Sequence, residues 1–365
     1  MPTPVPSIDP YSSTLYADYQ KLIADFGLER FDVKLFPSPN APMRRGIVFA
    51  GRDLATIAKT IKAKKPFYVL TGIMPSSEKI HLGTKTVIDQ VKYFQEQGAT
   101  TYVLVADLEA MATRGISLQE AKERALSFHI PAYLALGLDP KKTIFYFQSE
   151  NKAVLQLAYQ FSQKVTLNEY RAIYGSAEPA RIMSALTQAG DILFPQLAMR
   201  MPGIIPVGID QDPHLRLCRD IVHRSKAMKF IPPTSIYHQF TPSLNGNIKM
   251  SKSEPLGNID LPEDSQTITK KIQKAVTGGR ATLEEHRRLG AEIDKCMVFA
   301  LLRHHFVEDD QELEAIAKAY KAGQMTSGQI KELAIEKINT FMSEFSKKLQ
   351  AARSIVSTLT FVTFN

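Results

Sequence analysis

Across residues 66–220 short apolar runs alternate with amphipathic ones, and beyond Ser253 strand-like runs give way to repeated helical spacing. The first pattern predicts an α/β fold, a Rossmann-like parallel sheet with crossover helices. A strand buried on both faces reads as a short apolar run, and the helix that covers it reads at a 3.6-residue period. The second pattern predicts a separate α-helical region. At 365 residues the chain is long enough for two units that each bury a core.

Strands are expected at 67–70, 102–106, 144–147 and 204–207, each short and bounded by Gly, Pro or polar residues. After the first, a Thr71-Gly72 turn, a polar loop and an amphipathic run ending at Gly98 read as strand, loop, helix. Ser117 with Glu120 three residues on has the capping-box spacing of a helix start. Asp212-Pro213 reads the same way, a cap followed by proline in the first turn. Helical spacing then recurs at 267–276, 283–289, 296–306, 313–320 and 330–349, and the apolar tail 355–364 is expected to return and pack on the α/β unit.

Apolar residues make up 44% of the chain and charged residues 22%, and no apolar run reaches membrane-spanning length. Residues 1–10 are polar and proline-rich, which argues against a secretory signal and makes the cytoplasm the expected location. The net charge of +8 has the sign expected of a protein that holds a polyanion, although ordinary enzymes reach it too. Two cysteines, Cys218 and Cys296, are too few for a disulfide framework or a four-thiolate zinc site. Both are read as small buried apolar residues, and no structural metal is expected.

Two stretches carry the chemistry. Pro75-Ser76-Ser77-Glu78-Lys79-Ile80-His81-Leu82-Gly83 leads from strand to helix, which places backbone N–H groups and His81 beside a nucleotide phosphate. Lys249-Met250-Ser251-Lys252-Ser253 follows the turn-prone Asn245-Gly246-Asn247 and brings two ammonium groups to a loop, where a departing pyrophosphate needs cations. Together they describe activation of a carboxylate by ATP. Gly83 and Gly208 leave room for a nucleoside to approach the backbone. Asp210 can accept from a ribose, cap the following helix as an Asx turn, or do both.

In this order, around Val207-Gly208-Ile209-Asp210-Gln211-Asp212-Pro213, the two stretches resemble the signature sequences of class I aminoacyl-tRNA synthetases. The middle segment is similar to the adenosine-binding loop of the tryptophanyl and tyrosyl enzymes. Asp210-Gln211-Asp212-Pro213-His214 with Arg219-Asp220, then Gly278-Gly279-Arg280-Ala281-Thr282-Leu283-Glu284-Glu285-His286-Arg287, narrow the resemblance to archaeal and eukaryotic tryptophanyl-tRNA synthetases. It covers nearly the whole chain, most weakly before residue 66.

The resemblance implies an N-terminal extension over 1–65 packing on a catalytic domain, that domain over 66–258, and an anticodon-binding helical domain over 259–365. It implies ATP with Mg²⁺ as substrate, tRNA(Trp) and L-tryptophan as partners, and a homodimer away from membranes. His81, Lys249 and Lys252 take the catalytic positions. Pro75, Ser76, Gly83, Thr84, Gly208, Asp210, Met250 and Ser251 take the ATP-binding ones. Thr84 departs from the family, which usually has histidine there, and a hydroxyl cannot supply that positive charge.

Glu109, Gln188 and Gln211 match acceptors for the substrate's α-ammonium. Leu70 and Leu104 stand where eukaryotic tryptophanyl enzymes hold the indole N–H with Tyr and Gln, so another acceptor is needed. Asp191 is the candidate, three residues from Gln188 on one helix face and similar to the bacterial indole-binding aspartate. Archaeal tyrosyl enzymes carry a similar Gln-x-x-Asp, which keeps a tyrosyl enzyme as the alternative, but Leu70 offers a phenol nothing. A catalytically reduced RNA-binding protein is the third reading, invited by Thr84 alone. Arg280, Arg287, Arg288 and Lys331 are candidates for tRNA contact, against the common alternative of solvated helix faces.

Overall fold

The structure is a computed structural model that describes residues 19–247, 249–250 and 254–363. Its strands, in chain order, are β1 (Glu29–Arg30), β2 (Val48–Arg52), β3 (Tyr68–Ile73), β4 (Ile80–His81), β5 (Thr100–Val105), β6 (Thr143–Phe147), β7 (Gly203–Gly208), β8 (Thr234–His238) and β9 (Asp260–Leu261). Seven form one sheet in the order β1-β2-β8-β7-β3-β5-β6, in which β8, β7, β3, β5 and β6 run parallel. The chain fills one side of β3 with β5 and β6, then returns to fill the other with β7 and β8. That reversal leaves a crevice beyond the C-terminal ends of β3 and β7, where open α/β sheets take their ligands.

Strand period sorts the side chains into two cores. Tyr68, Leu70, Tyr102, Leu104, Tyr146 and Ile205 face one side and join the helices Lys152–Ser162, Pro179–Leu193 and Asp212–Arg224. Val69, Ile73, Val103, Val105, Phe145 and Phe147 face the other and join the helices Leu54–Lys62, Leu82–Glu96 and Ile130–Ala135.

The expected turn at Thr71-Gly72 is instead the continuation of β3. Thr71 pairs with Val103 and Gly72 with Leu104, so the ladder to β5 overrides the local turn preference. The sheet also extends beyond the four expected strands. β8 holds only two apolar residues in five, yet every residue is buried, because Thr234 donates to the Gly203 carbonyl at 2.8 Å and Ser235 to the Tyr237 hydroxyl at 2.9 Å. β2 and β1 continue from β8 in antiparallel order.

Beyond the sheet come the helices Ser265–Lys274, Leu283–Leu289, Met297–Leu301, Asp310–Lys321 and Ser327–Val356. Their core, including Ile272, Leu301, Tyr320, Ile338 and Phe345, is continuous with Ile80, Leu82, Phe128 and Ala132 of the sheet region. The strand β9 pairs antiparallel with β4, Ile80 opposite Leu261 and His81 opposite Asp260. After the last helix the chain returns to the sheet edge, where Val362 donates to the Phe145 carbonyl at 3.0 Å and the Phe361 ring lies 5.4 Å from that of Phe147. Phe364, the end of the expected tail, lies outside the described residues. Cys218 and Cys296 are buried, and no helix among the described residues is long and apolar enough to cross a membrane.

Candidate active site

A cleft of about 450 Å³ opens at the crevice between β3 and β7. Its first wall is the segment between β3 and the helix Leu82–Glu96. His81 caps that helix, its Nδ1 accepting from the Gly83 N–H at 3.0 Å. The ring explains the glycine: a Cβ at position 83 would meet His81 Cε1 at 2.7 Å. Ser76, His81, Gly83 and Thr84 line the cleft. Pro75 does not; its carbonyl accepts from Arg124 at 3.4 Å. His129 and Tyr133 line the cleft too: His129 contacts the Ser77 carbonyl at 2.7 Å, and Tyr133 donates to the Gly72 carbonyl at 3.1 Å, so both brace the wall.

The second wall follows β7. Gly208 leads through a 3₁₀ turn, Ile209–Gln211, into the helix Asp212–Arg224. A Cβ on Gly208 would meet Asp210 Oδ1 at 2.6 Å and the Phe240 ring at 3.2 Å, so glycine lets Asp210 turn into the cleft. Lys249 reaches across to Asp210 at 2.9 Å. Asp212 is not the expected cap. It is fully buried in the first turn, paired with Arg52 at 3.0 Å and Arg216 at 3.1 Å, and it accepts from the Tyr237 hydroxyl at 2.5 Å. Three partners reward burial of that carboxylate more than one backbone N–H would.

The floor is amphipathic. Leu70, Leu104, Ile192 and Leu215 supply apolar surface, and Glu109, Gln188 and Gln211 bring polar groups to its rim. Burial pushes the Glu109 carboxyl up to about 7, with Arg114 opposing.

The family model for tRNA synthetases class I (W and Y) matches residues 62–343. This chain belongs to that family. It is 39% identical to the tryptophan–tRNA ligase of Methanocaldococcus jannaschii over 95% of this chain and 96% of the relative. It is 40% identical to that of Hyperthermus butylicus, over 96% of each. Among solved structures it is similar to the tryptophanyl-tRNA synthetase of Aeropyrum pernix, with a TM-score of 0.89 at 40% identity over 96% of this chain and 98% of that one. The Plasmodium falciparum tryptophanyl-tRNA synthetase superposes with a TM-score of 0.84 at 28% identity, over 93% of this chain and 97% of that one.

In this synthetase the signature positions His81, Lys249, Gly208 and Asp210 converge on one cleft with Glu109, Gln188 and Gln211. Lys252 and Ser251 lie outside the described residues. Met250 points away: it is buried against the helical core, and its sulfur accepts from the Ile259 N–H at 3.4 Å. It anchors the loop rather than facing a nucleotide.

Asp191 also departs from expectation. It is fully buried one layer behind the floor, with Oδ1 accepting from the Tyr146 hydroxyl at 2.9 Å and Oδ2 from the Gln148 amide at 2.6 Å. Both oxygens are engaged, so a direct bond to a substrate indole does not fit this geometry. Burial raises its carboxyl to about 8, the two hydrogen bonds oppose, and Glu109 and Asp107 add to the rise. Gln148 lines the cleft in its place and was missed from sequence. Its signal was position, directly after an aromatic strand at the C-terminal edge of the sheet.

Of the candidate tRNA contacts, two serve the fold. Arg280 donates to the Gly290 carbonyl at 2.9 Å and pairs with Glu292 at 3.4 Å, and Lys331 donates to the Gln273 carbonyl at 2.7 Å. Arg287 and Arg288 are exposed in the last turn of Leu283–Leu289.

Proposed function

We propose that this protein attaches L-tryptophan to tRNA(Trp) in two steps through a tryptophanyl-adenylate. One observation carries the reading: acceptors for an α-ammonium (Glu109, Gln188, Gln211) and apolar side chains for an indole (Leu70, Leu104) share one cleft with the signature loops. In the first step a carboxylate oxygen of tryptophan attacks the α-phosphorus of ATP in line, and pyrophosphate leaves. In the second a terminal ribose hydroxyl of tRNA attacks the adenylate carbonyl, and AMP leaves.

No protein nucleophile is needed, so the chain's work is to position reactants and neutralise phosphate charge. In this reading the N–H groups at the start of Leu82–Glu96, with His81, Ser76 and the Thr84 hydroxyl, meet the triphosphate of ATP, which arrives as its Mg²⁺ complex. Asp210 accepts from the ribose, and Gly83 and Gly208 leave the nucleoside space. Once the ribose occupies Asp210, Lys249 is released toward the pyrophosphate, where Lys252 joins it. Pro75 and Met250 hold loop shape. Arg287 and Arg288 face tRNA.

Tyr159, Leu167, Met183 and Leu197 on helices of the sheet region, with Met199 just beyond the helix Pro195–Ala198, are large apolar side chains left exposed. They support a homodimer through that side. The place of work is the cytoplasm, where tRNA is charged. The deciding experiment is amino-acid-dependent ATP–pyrophosphate exchange. Stimulation by tryptophan is expected; stimulation by tyrosine instead, or by neither, overturns the reading in favour of a tyrosyl enzyme or an inactive RNA-binding relative.

A further inference from the structure

A cleft built for an indole needs one acceptor for the ring N–H, and Leu70 and Leu104 provide none. Gln148 is 1% exposed and lines the cleft, and its Oε1 is a buried acceptor with no hydrogen-bond partner among the described residues. An unpaired buried amide oxygen costs about 1–3 kcal/mol, so a group that bonds to it in the complex recovers that loss. The other end of the amide is fixed. Nε2 donates to Asp191 at 2.6 Å, which leaves Oε1 as the acceptor of the amide that has no partner.

The backbone is pinned as well. Ser149 donates from its N–H to Asp107 at 3.1 Å and from its hydroxyl at 2.5 Å, and Asn151 donates to the Gln148 carbonyl at 3.2 Å. Asp191 is held in turn by Tyr146. We propose that Gln148 Oε1 is the indole N–H acceptor of this enzyme and that Asp191 is a positioning residue that orients the amide. The inference rests on tryptophan as the substrate. A site that commits a buried, pre-oriented acceptor also gains selectivity, because an analogue without the N–H leaves that acceptor unpaired.

The test compares ATP–pyrophosphate exchange with tryptophan and with β-(3-benzothienyl)alanine, in which sulfur replaces the ring N–H at nearly the same shape. At pH 8.5 the full-length wild type should prefer tryptophan. Gln148→Leu should lower kcat/KM for tryptophan on the order of tenfold to a hundredfold, mainly through KM, and move the analogue far less, so the preference collapses. Gln148→Met, close in volume, repeats the measurement should the leucine variant fold poorly. Asp191→Asn should erode the same preference through KM, because the amide loses the charge that orients it. A wild-type preference preserved in both Gln148 variants, or an equal loss for both substrates, overturns the acceptor role. A wild type that exchanges with tyrosine and not tryptophan overturns the substrate reading instead.

Discussion

Lys249 Nζ lies 2.9 Å from the Asp210 carboxylate and 4.7 Å from the centre of the Phe240 ring. The lysine that ought to serve departing pyrophosphate is thus parked on the group that ought to serve the ribose. Lys249→Ala should lower the rate of exchange at saturating substrates by about a hundredfold to a thousandfold, the usual cost of one charge-stabilising donor. KM for tryptophan should barely move. Asp210→Asn should raise KM for ATP, since it weakens the ribose acceptor. Steady-state exchange kinetics decide both, and a Lys249→Ala enzyme of normal rate would remove the lysine from the mechanism.

Glu109, the proposed ammonium acceptor, should set a pH dependence. Its carboxyl is raised to about 7 by burial, and only the ionised form attracts the substrate ammonium strongly. Between pH 6 and 8, kcat/KM for tryptophan should therefore rise as Glu109 loses its proton. The rise should be shared by the benzothienyl analogue, which has the same ammonium. In Glu109→Gln the neutral amide does not titrate, and the profile over this range should flatten while KM increases. A variant that keeps the wild-type slope would place the titrating group elsewhere.

Asp191 makes the opposite demand on stability. Its folded pKa of about 8 stands above the unfolded value of about 3.9, so the folded state binds the extra proton. The resulting stabilisation is complete below about pH 4 and is lost as pH rises toward about 8, with a limiting slope of about 1.4 kcal/mol per pH unit. Glu109 acts in the same direction over a narrower window. Below about pH 6.5 the buried His214, His238, His304 and His305, all held neutral by burial, pull the other way. The window that isolates the carboxyls is therefore about pH 7–8. There urea unfolding of the wild type should show stability falling, and Asp191→Asn should make the curve shallower. Equal slopes in the two proteins would contradict a raised carboxyl at this position.

Arg287 and Arg288, proposed above to face tRNA, should separate the two chemical steps. Both are exposed and neither lines the cleft, so the double variant Arg287→Ala/Arg288→Ala should leave exchange near the wild-type rate. Its kcat/KM for tRNA in charging should drop by about tenfold or more, and the salt dependence of tRNA binding should become weaker. Unchanged charging would mark the pair as a solvated helix face.

Much of this was legible in the chain because its signals are local. The four parallel strands next to the site announce themselves as apolar runs, and His81, Gly208 and Asp210 sit in short segments whose order implies their meeting. β8 was not legible, since Thr234, Ser235 and His238 look like loop and are buried only because the strand is seated between β2 and β7. Asp191 and Asp212 failed for a related reason. Each was read as acting at its own position in the sequence, whereas each is saturated by side chains more than twenty residues away: Tyr146 and Gln148 in one case, Arg52 and Tyr237 in the other. Gln148 was silent because an orphaned acceptor is a property of packing.

The helical region is tied down at both ends, by β9 on β4 at its start and by Phe361 and Val362 on β6 at its finish. A segment hung from one linker can swing to find its partner. One sewn in at entry and exit presents a fixed angle, and the tRNA of the proposed reaction would have to fit a preset span between the cleft and the outer helices. On the proposed function, reach would then be measured when the protein folds, and a tRNA of the wrong shape should be refused by distance before any base is read.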